Sequence, residues 1–224
     1  MYIKVNGIEL FYEKTGQGNP IILLHGNGQS HAIFDVLTKQ LSQNYTVYAI
    51  DSRDHGKSSK VESLDYKDMM EDVAAFIHEL NIEKPILYGF SDGGNIGLLL
   101  AIHYPYMLSR LIISGANIHP SGIRPISVFV LRLVYFFTRS RKFKLMLTQP
   151  NISITELNSI VAPTLVLAGE KNEFPKYEHT QLIADNIPNS ELKILKGESH
   201  GSYIINSEKL YGIIKPFIGE IVQQ

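Results

Sequence analysis

The 224 residues predict an α/β fold: a mostly parallel eight-stranded sheet flanked by helices, with a short helical cap inserted late in the chain. Three features predict it. Short apolar runs alternate with segments of helical period through most of the sequence, the pattern of repeated β-α units. Two of those runs, Ile21-Ile22-Leu23-Leu24 and Leu165-Val166-Leu167, are apolar without alternation, as strands covered on both faces must be. One stretch, from about residue 118 to 154, shows no β-α unit. At 44% hydrophobic the chain can fill one large core, and one domain with an insertion suits its length better than two domains.

In chain order, strands Tyr2–Val5 and Glu9–Glu13 flank Asn6-Gly7, a pair suited to the positive φ angles of a tight hairpin. This opening has no basic start, apolar core and cleavage site, which predicts a cytoplasmic protein without a signal peptide. Further strands are expected at Pro20–Leu24, Thr46–Ile50, Lys84–Tyr88, Leu108–Ile113, Thr164–Ala168 and Glu191–Leu195. Helices are expected near His31–Gln43, Tyr66–Leu80, Gly93–His103, Tyr177–Asn186 and Ser207–Ile218. Ligands of such sheets bind outside the carboxyl ends of the strands, so the loops there carry most weight. The expected division is a core of residues 1–117 and 152–224 around a cap of residues 118–151.

Net charge is −1, with no bias toward nucleic acid. The lack of cysteine excludes disulfides and thiolate metal sites. No glycine-rich phosphate loop or dinucleotide fingerprint is present, which argues against kinases and dehydrogenases, and no metal or organic cofactor is implied. Charge is unevenly placed. Residues 118–150 carry six Arg/Lys and no Asp/Glu, leaving about −7 for the rest of the chain. A solvated helix face is the commoner use of such a run; an anionic substrate or an anionic membrane surface is the alternative. The apolar residues of the same segment, Phe129, Leu133, Phe136 and Phe137, either wall a pocket or only pack the cap onto the core.

Chemistry concentrates in three places. Gly89-Phe90-Ser91-Asp92-Gly93 satisfies G-x-S-x-G between a strand and a helix. A serine in that strained turn is lifted clear of the sheet, and side chains two residues to either side would collide. His25-Gly26-Asn27-Gly28 follows the strand ending at Leu24, and its glycines free backbone N–H groups to turn inward. The N–H groups of Asn27 and Asp92 could then form an oxyanion hole, with His25 anchoring the loop. Ser199-His200-Gly201 follows the last strand, where a histidine could reach Ser91 as general base and then acid. His55, His78, His103, His119 and His179 are expected to be solvent-facing or structurally satisfied.

These pieces, with Asp51-Ser52-Arg53-Asp54-His55-Gly56-Lys57-Ser58 and Pro163-Thr164-Leu165-Val166-Leu167-Ala168-Gly169, resemble the α/β-hydrolase fold superfamily, particularly its small bacterial esterase-like members. The resemblance covers most of the chain except the cap. It implies a serine hydrolase of esters or related acyl substrates, working through an acyl-enzyme. It leaves open a lyase, peroxidase-type or C–C hydrolase reaction on the same fold. It also implies that Asp51, Arg53 and His55 shape a loop. Its usual acid is the aspartate of a Gly-Glu-Lys-Asp run after the strand at Thr164–Ala168. Here the run is Gly169-Glu170-Lys171-Asn172-Glu173, and the other location for an acid, near Asn117, is also an amide. An amide in place of that acid costs about 10⁴ in turnover in a serine protease. Three readings stay open: Glu173 substitutes with its longer arm, Asn172 orients His200 weakly, or catalysis is lost and the pocket binds a ligand.

Overall fold

A computed structural model describes residues 1–171, 175–205 and 207–219. The sheet contains β1 (Tyr2–Val5), β2 (Ile8–Thr15), β3 (Asn19–Leu24), β4 (Tyr45–Ile50), β5 (Ile86–Phe90), β6 (Arg110–Ser114), β7 (Thr164–Gly169) and β8 (Ser190–Leu195). Their spatial order is β1-β2-β4-β3-β5-β6-β7-β8. The β1/β2 and β2/β4 pairs are antiparallel, and every other neighbouring pair is parallel. Each expected strand is present, Tyr2–Val5 with the expected ends and the other seven with shifted ones. The fifth starts at Ile86 rather than Lys84, because Lys84 has φ +38° and Pro85 has no N–H for the ladder. It ends at Phe90, which puts Ser91 directly beyond its last residue.

The helices are α1 (Asp35–Leu41), α2 (Tyr66–Glu79), α3 (Asp92–His103), α4 (Pro125–Thr138), α5 (Arg141–Thr148), α6 (Ile154–Leu157), α7 (Tyr177–Asp185) and α8 (Lys209–Ile218). A 3-10 turn at His31–Phe34 takes the first part of the helix expected at His31–Gln43. Asp65 caps α2 by accepting the Lys67 N–H.

The β3 side chains alternate between two cores. Ile22 and Leu24 join Met70 and Phe76 of α2 and Ile96 and Leu100 of α3. Ile21 and Leu23 join Leu37 and Leu41 of α1 and Leu210 and Ile214 of α8. All four β3 residues are fully buried, each stabilising the fold by roughly 1.5–3 kcal/mol. That two-sided burial is why the strand reads as an unbroken apolar run. The chain leaves β3 for β4 on one side and returns to β5 on the other. The crevice at this reversal opens at the carboxyl ends of β3 and β5, before His25 and Ser91.

Between β6 and β7 lie a 3-10 turn (Pro120–Gly122), α4, α5 and α6. The segment's entrance is pinned to α7: the Ile118 N–H donates to His179 Nε2 at 3.1 Å, and Gly122 faces the His179 ring where a Cβ would lie 2.7 Å away. Arg139, left-handed at φ +51°, ends α4. α5 is tied to the core by Arg141 and Asp54 at 3.2 Å, and α4 packs mainly on α5.

The loop after β4 is held by a buried ion pair. Arg53 Nε and Nη2 donate to the two oxygens of Asp72 at 2.6 and 2.7 Å, and Nη1 reaches Asp68 at 2.9 Å. Asn6 Nδ2 also donates to Asp72, at 3.1 Å, so the β1–β2 turn joins the cluster. Arg53→Leu would leave Asp72 buried without its cation, and should lower the unfolding free energy by about 3–5 kcal/mol in urea denaturation. A loss under about 1 kcal/mol would mean that water or Asn6 compensates.

Candidate active site

Ser91 has φ +53° and ψ −113°, a conformation that costs a non-glycine residue about 1–3 kcal/mol. The surroundings impose it. The Ser91 N–H donates to Ser114 O on β6 at 2.8 Å, and its C=O accepts from the Gly94 and Asn95 N–H groups at 2.9 and 3.1 Å. The flanking glycines follow from packing. A Cβ on Gly89 would lie 2.2 Å from Gly93 O, and one on Gly93 would lie 2.2 Å from Leu24 O. Ser91 therefore stands at the head of α3, where the helix dipole favours negative charge.

The His25-Gly26-Asn27-Gly28 loop runs alongside. His25 Nδ1 lies 2.8 Å from Gly26 O, and Nε2 accepts the Ser52 N–H at 3.1 Å. These contacts select the neutral tautomer protonated at Nδ1, and burial pulls the imidazole down to about 4. His25 is a structural anchor between the β3 and β4 loops. A Cβ on Gly26 would lie 3.1 Å from Ser91 Cβ, so the bare backbone lets the loop approach the serine. Gln29 Oε1 accepts the Gly26 N–H and closes the turn. Among the described residues neither the Asn27 N–H nor the Asp92 N–H meets an acceptor. Two donors thus remain unspent beside Ser91, as an oxyanion hole needs.

The side chains of these two residues hold each other. Asn27 Nδ2 donates to Asp92 Oδ2 at 2.8 Å and to Lys142 O of α5 at 3.3 Å. Tyr66 Oη donates to Asp92 Oδ1 at 2.7 Å. Asp92 is buried, which pushes its carboxyl up to about 6 although both hydrogen bonds pull the other way. Tyr66 was not recognisable from sequence. Only its place as first residue of α2, beneath the elbow, gives it this role.

A cleft of about 300 Å³ opens over Ser91, and His200 lines it too, with Gly26, Asn27, Gln29, Phe90, Gly201 and Ile205. The His200 ring lies 4.8 Å from the Phe90 ring, centre to centre. The wall supplied by the insertion is Leu131, Phe143 and Met146. The expected wall residues Phe129, Leu133 and Phe136 are not in it. They are 63%, 50% and 62% exposed, because α4 turns its Leu131 side inward. Helical period fixes which residues share a face, and packing decides which face is covered. Behind Ser91 a second space of about 10 Å³, room for about one water, is bordered by Tyr66, Asp92, Asn117 and Met146.

The sequence candidates Asn172 and Glu173 lie outside the described residues. The end of β7 before them adjoins the loop of Glu198 and Ser199. The Lys171 N–H donates to Glu198 O at 2.8 Å, and a Cβ on Gly169 would lie 2.5 Å from Ser199 O. The end of β7 therefore presses on the loop that carries His200. Asn117 is engaged elsewhere: its N–H donates to Asn95 Oδ1 at 2.9 Å and its Nδ2 to His119 O at 3.0 Å. Asp51 is likewise structural, accepting from the His31 and Lys57 N–H groups at 2.7 Å each.

An eight-stranded sheet with a strained serine at the end of β5 defines a hydrolase-type α/β protein. Residues 19–145 match the family described as alpha/beta hydrolase fold, and the chain belongs to that family. It is 28% identical to the AB hydrolase superfamily protein YisY of Bacillus subtilis, covering 96% of this chain and 98% of that one. It is 27% identical to the human serine hydrolase BPHL, covering 96% and 85%. An esterase structure from Exiguobacterium antarcticum superposes with a TM-score of 0.85 at 22% identity, over 97% of this chain and 98% of the other. That last likeness is one of fold.

Asp92 and His25 act oppositely on stability. From about pH 4 to about pH 6 the folded chain keeps an Asp92 proton that the unfolded chain has lost, so this group lowers stability as pH rises. From about pH 4 to about pH 6.5 the unfolded chain holds a His25 proton that the folded chain has lost, so this group raises it. Asp92→Asn removes only the first effect. Its unfolding free energy should climb more steeply with pH than that of the wild type, by up to about 3 kcal/mol across the window. Equal slopes in denaturant titrations would remove Asp92 as a titrating group.

Proposed function

We propose that the protein is a serine hydrolase of carboxylic esters or related acyl compounds, with Ser91 as nucleophile and His200 as general base. One observation carries the reading: the strained Ser91 elbow and His200 line the same cleft of about 300 Å³. Ser91 Oγ attacks the acyl carbon as His200 takes its proton. The Asn27 and Asp92 N–H groups hold the oxyanion. The carbon–oxygen bond to the leaving alcohol breaks as His200 returns the proton, leaving an ester on Ser91. Water, deprotonated by His200, attacks that ester, and the acyl–Oγ bond breaks as His200 returns the proton to Ser91 Oγ, releasing the acid. The serine hydrolase among its relatives supports this reading.

Asn172 favours a second reading, a pocket kept for binding after loss of the orienting acid. The two separate on p-nitrophenyl acetate and butyrate. Hydrolysis is expected, and Ser91→Ala should lower kcat/KM by at least about 10³. Turnover unchanged in Ser91→Ala, or absent from the wild type, would sink the hydrolase reading. Asn172→Asp should raise kcat, by up to about 10⁴, if the amide is the weak member. If Glu173 orients His200 instead, Glu173→Gln should abolish activity and Asn172→Asp should change little.

A further inference from the structure

We propose that the outer face of α4 docks the protein onto an anionic lipid surface. Ile126, Phe129, Val130, Leu133, Phe136 and Phe137 recur at helical spacing and form one stripe along α4. They are 50–75% exposed. A soluble helix normally turns its apolar stripe inward, and single apolar residues scattered on a surface would not line up in this way. Here the inward side is the narrower one, with Leu131 as its buried residue.

Charge identifies the occupant. Arg124 precedes the helix, Arg132 flanks the stripe, Arg139 ends it, and Lys144 follows on α5. Arg141 is engaged by Asp54, but among the described residues no carboxylate pairs with the other four. The Arg139 guanidinium lies 5.4 Å from the centre of the Phe136 ring, so cation and apolar stripe share one edge. Residues 118–150 hold no Asp or Glu, in a chain of net charge −1. An apolar stripe framed by cations suits anionic headgroups above an acyl interior. A second copy meeting this face about a two-fold axis would bring two cationic frames together, which opposes self-association.

The helix is 14 residues, about 21 Å long, against a hydrocarbon layer of about 30 Å. None of the described helices is long and apolar enough to cross a membrane. α4 would therefore lie in the plane of the interface. Its inward side contributes Leu131 to the cleft over Ser91, so a docked molecule carries that cleft beside the lipid. The docking itself does not depend on the hydrolase reading.

The test is co-sedimentation of the full chain with vesicles of phosphatidylcholine alone or with about one-third phosphatidylglycerol. Partition onto the mixed vesicles is expected, several-fold weaker at high salt and on phosphatidylcholine alone. A Leu133→Asp, Phe136→Asp double variant should lose at least about tenfold in partition while its circular dichroism and unfolding midpoint stay unchanged. Three results would overturn the proposal: no partition onto anionic vesicles, equal partition of wild type and variant, or equal partition onto both lipids. A concentration-dependent dimer that the variant abolishes, without vesicle binding, would assign the face to a second copy instead.

Discussion

The carboxyl end of the sheet is organised around one backbone conformation, that of Ser91. A residue with a Cβ sits there at φ +53° only because hydrogen bonds from β6 and α3 hold it, and because Gly89, Gly93 and Gly26 leave room for the turn. The strain resides in the nucleophile, but the packing that over-determines it spreads through β3, β5, β6 and α3. Leu24 O sets the size limit at Gly93, so the strand carrying the histidine-glycine loop also fixes the elbow. Strand order, glycine placement and serine geometry form a single constraint.

A second layer of order is polar and buried. Asp92 gathers Tyr66 from α2 and Asn27 from the β3 loop, and Asn27 in turn reaches Lys142 on α5. One carboxyl group thus connects the core, the candidate oxyanion loop and the insertion. Burial raises its proton affinity while both hydrogen-bond donors favour its charged form. Burial and hydrogen bonding thus act in opposite directions on the carboxyl group next to the nucleophile.

Much of this was legible in the sequence because it is local or steric. The elbow, the histidine-glycine loop and the eight strands are set by short-range rules: glycine where a Cβ would clash, unbroken apolar runs where both faces are covered. Tyr66 was not legible, since nothing in a tyrosine at a helix start announces a carboxyl partner 26 residues away. The inner wall of the cleft was not legible for a related reason. The period of α4 puts Phe129, Leu133 and Phe136 on one face, but only the packing against α5 decides that this face looks outward and that Leu131, Phe143 and Met146 look in.

The insertion is built in two tiers. α5 is bolted to the core through Asp54 and Asn27, whereas α4 rests mainly on α5 and gives the chamber a single buried side chain, Leu131. Chamber and exterior are thereby separate variables. The outward stripe of α4 can be rewritten by drift, or exchanged by graft, while Leu131 keeps its place, and the chamber over the serine would stay as it is.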